Sequence, residues 1–269
     1  VVDAAESTNQ QYLLANADAA AGERLDALSA LFNPTTFQHM RNLGIRPGWR
    51  VWEVGAGNRS IPSWLAQEAG AEVLATDIDT RLLGESDDDI EVRVHDIAVD
   101  DADEEQFDFV HARLVLVHVT DRDRALDTMI RSLKPGGWLL VEDADPQLQP
   151  LTCLDERGPR EVLANRLKRQ FRTLLAARGV DLAFGRTLPS RLRAAGLTNV
   201  GADAYFPLGG PLCAALELQT LEQIASRLLD AGLATADEIA AHRDAIESGE
   251  LDFTVSPLIS AWGQRPAAN

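Results

Sequence analysis

The chain is short of cysteine, of basic residues and of long apolar runs, and each shortage removes a class of protein. Its two cysteines, Cys153 and Cys213, in 269 residues cannot build a disulfide framework and lack metal-ligand spacing. Both are expected as reduced thiols in a cytoplasmic protein. Lys and Arg number 25 against 42 Asp and Glu, a formal net charge of −17. Nucleic-acid binding rests on clustered cations that offset phosphates, so the composition argues against a polyanion and for a small-molecule substrate. No stretch approaches the roughly 18 consecutive apolar residues of a membrane span, so no membrane partner is expected. The first ten residues carry acids and no basic-then-apolar leader, and export is not expected. A 45% apolar content over this length suits a globular α/β protein of one or two domains. The acids concentrate at 87–89 and 100–105, read as solvated loops. The one basic concentration, 157–178, lies along an amphipathic helix with Val162, Leu163, Leu167, Phe171, Leu174 and Leu175 on its expected inner face.

The chemistry starts at residues 51–60, VWEVGAGNRS. Val51 to Val54 alternate like a strand, Gly55 and Gly57 let the backbone turn tightly against a ligand, and 60–69 reads as a helix. Asp77 closes the next apolar run, 22 residues past Gly55, where a carboxylate can accept from ribose hydroxyls. The layout is that of an adenosine-bearing cofactor, and two cofactors compete for it. A nicotinamide dinucleotide would bring a pyrophosphate to the helix start, where Glu53 repels it, and would want a glycine at Ser60. A cofactor carrying an amino acid and a sulfonium tolerates Glu53.

At these residues the chain resembles the class I S-adenosylmethionine-dependent methyltransferases, whose first motif is an acid, any residue, then Gly-x-Gly-x-Gly. Glu53, Gly55 and Gly57 match, and Arg59 takes the third glycine position. The resemblance continues through Asp77, through His95, Asp96 and Ile97 after the third strand, and through the fourth strand at 107–113. It takes in RSLKPGGWLLVE at 131–142, where Pro135, Gly136 and Gly137 are expected to stop a helix before the fifth strand, and 257–264 as the last strand. It implies a Rossmann-like, seven-stranded, mostly parallel sheet with helices on both faces, N-terminal helices and a helical cap. It further implies S-adenosyl-L-methionine as cofactor, bound by Glu53, Gly55, Ala56, Gly57, Asp77, Ile78, Asp96, Ile97 and Arg113. The acceptor is expected to be a small molecule, with oxygen favoured; a hydroxyl acceptor needs a base, for which His118, His111 and His39 are the candidates. No metal is expected, because Arg113 stands where the metal-dependent members carry an acid, and Glu142, Asp143 and Asp145 alone do not make their site.

Arg59 leaves two readings open. Near the sulfonium, two like charges about 6 Å apart at an effective dielectric near 20 repel by roughly 3 kcal/mol; pointed elsewhere, the side chain is neutral to binding. A degenerate site with other chemistry or binding only, and a nicotinamide-dependent dehydrogenase, are the alternatives. Along the chain, 1–45 reads as an N-terminal helical cap segment, 46–145 as the cofactor-binding core, and 146–269 as the rest of the same domain with helical insertions at 146–185 and 211–248. Helices are expected over 9–42, broken at Asn33 and Pro34. A homodimer is allowed.

Overall fold

The computed structural model describes residues 21–267, so residues 9–20 of the expected N-terminal helices lie outside the described residues. The chain divides into two compact units, a sheet unit of Asn33–Ala144, Phe184–Tyr205 and the residues from Leu258, and a helical unit of the residues to Phe32, Asp145–Ala183 and Phe206–Pro257.

In the sheet unit the apolar runs become β1 (Arg50–Val54), β2 (Glu72–Asp77), β3 (Ile90–Val94), β4 (Phe107–Arg113), β5 (Leu133–Ala144), β6 (Thr198–Tyr205) and β7 (Leu258–Gln264). They form one seven-stranded sheet in the order β3-β2-β1-β4-β5-β7-β6. The first five strands pair in parallel, and β7 runs antiparallel to both β5 and β6. Helices α2 (Ser60–Gln67), α3 (Arg122–Ser132) and α5 (Leu188–Ala194) belong to this unit. Ile61 and Leu65 of α2 pack with Met40 against Val51, Val73, Ala75, Phe109 and Leu140, the odd-numbered face of the central strands and its even-numbered continuation on β5. Strand order reverses between β1 and β4, and ligands of open parallel sheets bind outside the carboxyl ends of the strands at that switch.

Helix α1 (Ala21–Asn42) runs through Pro34, which overturns the expected break. Proline removes one bond to the carbonyl four residues back, here that of Ala30, and clashes with it. Pro34 and Ala30 are both exposed, so the ring sits on the outer side and water can take the carbonyl, while Leu31, Phe32, Thr36 and Met40 are buried to either side. The segment after α3 also differs in detail. The helix ends at Ser132, before Pro135, and Lys134 to Gly137 bulge from the start of β5, where register moves from Phe107 opposite Leu133 to Phe109 opposite Trp138. Gly137 is required there, because a Cβ would stand 3.0 Å from the Lys134 carbonyl and 3.1 Å from those of Phe107 and Asp108.

In the helical unit α4 (Pro159–Ala177), α6 (Gly210–Asp230) and α7 (Ala236–Glu247) carry the insertions. Proline in the first turn starts α4 and α6, and a Thr235–Glu238 capping box starts α7. Leu167, Phe171, Leu221, Ile224, Leu228, Ile239 and Ile246 are buried as an amphipathic reading requires. Val162 is not on that face. It is 51% exposed, because nine residues at about 100° each place it half a turn from Phe171. Cys153 and Cys213 are buried free thiols, and burial pushes Cys153 up to about 12. Among the described residues, no helix is long and apolar enough to cross a membrane.

Candidate functional site

β1 ends at Val54 and the chain turns through Gly55 and Gly57, both left-handed at φ +62° and +65°. A Cβ on Gly55 would stand 2.4 Å from Val115 Cγ2, so only glycine fits against the segment that follows β4. The turn is tied to β2 twice. Ala56 N–H donates to the Thr76 carbonyl at 2.9 Å, and Gly57 N–H donates to Asp77 Oδ2 at 2.8 Å. Asp77 Oδ1 accepts from Asp79 N–H at 3.0 Å. Each of its oxygens therefore keeps a second lone pair for a hydroxyl donor. Burial raises the Asp77 pKa, opposed by those backbone donors. Beside it Ile78 is 40% exposed, an apolar surface at the sheet's carboxyl edge. After β3, Asp96 forms a turn in which its Oδ1 accepts from Ala98 N–H at 2.9 Å, and Ile97 is buried.

Arg59 points away from this turn. Its backbone, φ −79° and ψ 0°, is right-handed, so the position does not demand glycine. The guanidinium donates to the carbonyls of Leu83 at 2.7 Å and Glu85 at 2.8 Å and pairs with Asp87. Of the two sequence readings, the geometry is that of a loop anchor.

Strand register gathers a second group of residues. Glu53 lies opposite His111, and Arg113 opposite Glu142, which lies opposite Ser260, itself opposite Asp203. Paired residues share a face, so β1, β4, β5, β7 and β6 present these side chains in one row, and α1 adds Thr36 and His39. The His111 ring is fully buried, with Nδ1 2.6 Å from Glu53 Oε2 and Nε2 3.3 Å from Glu142 Oε2. The His39 ring lies 3.2 Å from Glu142 Oε1 and 3.0 Å from Asp203 Oδ2. Glu142 also accepts from Thr36 Oγ1 at 2.5 Å and Ser260 Oγ at 2.7 Å, and Arg113 Nη1 donates to Thr36 Oγ1 at 3.0 Å.

A neutral imidazole has one donor and one acceptor nitrogen, and each of these rings faces two carboxylates. Both nitrogens must donate, which makes each ring an imidazolium. The electrostatics agree. Burial disfavours a charged His111, but Glu53 and Glu142 outweigh it and lift the pKa to about 9. The bond to Glu142 raises His39 as well. Glu142, despite burial, is held far below the usual carboxylate range by His111 and His39. Of the candidate bases, His111 and His39 are thus placed as fixed cations, while His118 ends a single helical turn, Leu116–His118, just past β4.

That turn follows Leu114, a non-glycine residue at φ +58°, and it is held by Arg122, which donates to the carbonyls of Leu116 at 3.0 Å and Val117 at 3.1 Å. On the opposite face of β5, Asp143 is fully buried. Burial raises its pKa well above the ordinary value, although the N–H groups of Leu116 and Val117 and the Arg122 charge favour the ionised form.

The structure therefore brings Gly55, Ala56, Gly57, Asp77 and Ile78 to one turn, and Glu53, His111 and Arg113 to the row beneath it. Asp96 and Ile97 stay in their own turn after β3, and His118 belongs to neither group. Sequence reasoning missed Asp203, Thr36 and Ser260, and weighed Glu142 only as a metal ligand. The available signal was a charged residue inside each of three apolar strands.

Comparison with known proteins agrees with this architecture. Residues 14–202 match the family described as methyltransferase domain. Phosphoethanolamine N-methyltransferase 1 of Zea mays is 24% identical over 176 residues, 63% of this chain and 32% of that protein. The ubiquinone/menaquinone biosynthesis C-methyltransferase UbiE of Vibrio parahaemolyticus is 33% identical over 121 residues, 40% of this chain and 47% of that protein. The chain thus matches over about a third to a half of the length of these relatives. Among solved structures, Haemonchus contortus phosphoethanolamine N-methyltransferase 2, in complex with phosphomonomethylethanolamine and S-adenosylhomocysteine, aligns over 95% of this chain and 60% of its own with a TM-score of 0.60 at 16% identity. The YcgJ protein of Bacillus subtilis aligns over 88% of this chain and 100% of its own, with a TM-score of 0.55 at 13% identity. These likenesses concern the fold. The family match spans most of the chain and includes the glycine turn, its partner Asp77 and, of the row beneath them, Thr36, His39, Glu53, His111, Arg113 and Glu142, and on that match the chain belongs to the methyltransferase domain family.

Proposed function

We propose that the protein binds S-adenosylmethionine at the Gly55–Gly57 turn and transfers its methyl group to a small molecule. The observation that carries this reading is the junction of the left-handed Gly57 with Asp77, a buried carboxylate that keeps acceptor capacity after fixing the turn. The residues fit the cofactor's parts. Asp77 would hold the ribose hydroxyls, Ile78 would cover the adenine from one side with Asp96 and Ile97 at its edge, and the turn backbone with Glu53 would receive the amino-acid end. When bound, the cofactor supplies an electrophilic methyl on a sulfonium.

The chain's own part is to hold the acceptor in line, and positioning of this kind contributes up to about 7 to 11 kcal/mol in the best-oriented reactions. A hydroxyl acceptor, which the sequence favours, also needs a proton taken from it. His111 and His39 already carry both protons, so the duty falls to His118. The curated relatives, by their names, methylate nitrogen and carbon. Hydroxyl, amine and activated-carbon acceptors therefore belong in one screen.

Calorimetric titration with S-adenosylmethionine and S-adenosylhomocysteine tests the cofactor claim. Micromolar binding of both is expected. If neither binds to the folded protein, the reading is withdrawn.

A further inference from the structure

The charged row beneath the glycine turn is built for more than packing, and the inference drawn from it rests on the cofactor reading above. It joins Glu53 of β1, His111 and Arg113 of β4, Glu142 of β5 and Asp203 of β6 to His39 of α1. Three carboxylates then face three cations, and the row is neutral only while both rings keep both protons. Among the described residues, Thr36, Ser260 and the Trp262 ring, 5.5 Å from His39, lie beside it without titrating, and Asp143 is the neighbouring carboxyl on the other face of β5.

The row touches the turn at two points. Glu53 stands near the end of β1, two residues before Gly55, and Arg113 stands two residues before Val115, whose Cγ2 occupies the space beside Gly55. Loss of the His111 proton would leave a buried excess of negative charge, which parting β1 from β4 would relieve. That movement changes the distance between Val115 and the turn. Asp203, with its side chain 55% exposed, opens the far end of the row to solvent and gives protons a way in through His39.

We propose that His111 and His39 are positioning residues for the cofactor turn: they hold Glu53 and the end of β4 in the binding arrangement, and cofactor affinity follows the proton content of the row.

The test is calorimetric titration of the full chain with S-adenosylhomocysteine at intervals from pH 6.5 to 9.5, on the wild type, His111→Gln, His39→Gln and Asp203→Asn, each checked for folding by circular dichroism. The ligand's own amine titrates identically in every titration, so differences between the profiles are read. The wild type is expected to lose about tenfold more affinity across the range than His111→Gln, which should start about tenfold weaker at pH 7 and stay flatter. His39→Gln and Asp203→Asn, at the open end, should show the same flattening with smaller initial loss, and they carry the test if His111→Gln does not fold. Superimposable profiles with equal affinities at pH 7 overturn the proposal. Failure of the wild type to bind at any pH overturns the cofactor reading itself, and that result is distinguishable because it needs no variant.

Discussion

Raising the pH should unfold this protein more easily by an amount that His111 alone sets at about 3 kcal/mol. The ring's pKa rises from 6.5 to about 9 on folding. A group whose folded value is raised stabilises the fold in full below its unfolded value, and that contribution is lost as pH climbs through the folded value. The window is therefore pH 6.5 to 9. At about 1.4 kcal/mol per pH unit over some 2.5 units, the loss is about 3 kcal/mol. His39 is shifted in the same direction and adds to it. Urea unfolding followed by tryptophan fluorescence at fixed ionic strength, every half unit from pH 6 to 9.5, measures the slope directly. His111→Gln, which cannot gain a proton, should be less stable at pH 6 and show a shallower dependence. A wild-type stability flat to within about 1 kcal/mol over that window would refute the assignment of His111 as a buried imidazolium.

The remaining predictions concern single positions. Arg59→Gly restores the family's glycine but should not improve cofactor affinity, because the guanidinium is engaged with residues 83–87; it should cost about 1 kcal/mol of stability, the scale of a part-exposed ion pair with two carbonyl contacts. A tenfold gain in affinity would show that the anchor description is mistaken. Gly55→Ala should destabilise by about 1 to 3 kcal/mol through its contact with Val115 and its left-handed backbone, and Val115→Ala should recover only the contact part; a Gly55→Ala protein as stable as wild type would count against this turn geometry. Asp143→Asn should raise stability at pH 7, because a carboxyl whose folded pKa is raised opposes folding above its unfolded value. That gain should vanish as pH falls below about 4, and its absence at pH 7 would mean that Asp143 has an ionic partner.

The centre of the sheet was legible because β1, β2, β4 and β5 carry short apolar runs, and because Gly55, Gly57 and Asp77 stand at the spacings of a strand-turn-helix followed by a second strand. Helix α1 was legible in its halves but not in its continuity, since the penalty for Pro34 depends on whether the ring faces water, and a sequence does not say which side that is. The row was not legible as a row. His39 and Glu142 lie 103 positions apart and His39 and Asp203 lie 164 apart, so no local pattern links them. Only strand register brings them to one face. Glu53, His111 and Glu142 did carry a local sign, each being a charged residue within an apolar strand, where an unpaired charge is costly enough to require a partner. Arg59 shows the converse. Its mismatch to the motif is plain in the sequence, but whether the mismatch matters depends on a backbone angle and on acceptors more than twenty residues away.

Stability alone is a weak reason for such a row. Replacing a buried ion pair with well-packed apolar residues is often neutral or stabilising, whereas removing one partner is strongly destabilising. Apolar side chains at these positions would suit a sheet whose neighbours are Val51, Phe109 and Leu140. The charges instead follow a line from a solvent-exposed acid on β6 to the acid that precedes the glycine turn on β1, and each of His39, Glu142 and His111 between those ends has partners on two sides. An arrangement of that kind fixes strand register and helix placement by geometry rather than by volume, since hydrogen bonds of 2.6 to 3.3 Å tolerate less sliding than apolar contacts do. The region whose position it fixes is the turn where Gly55 meets Val115. Placement of that turn, more than added free energy, is what the row contributes.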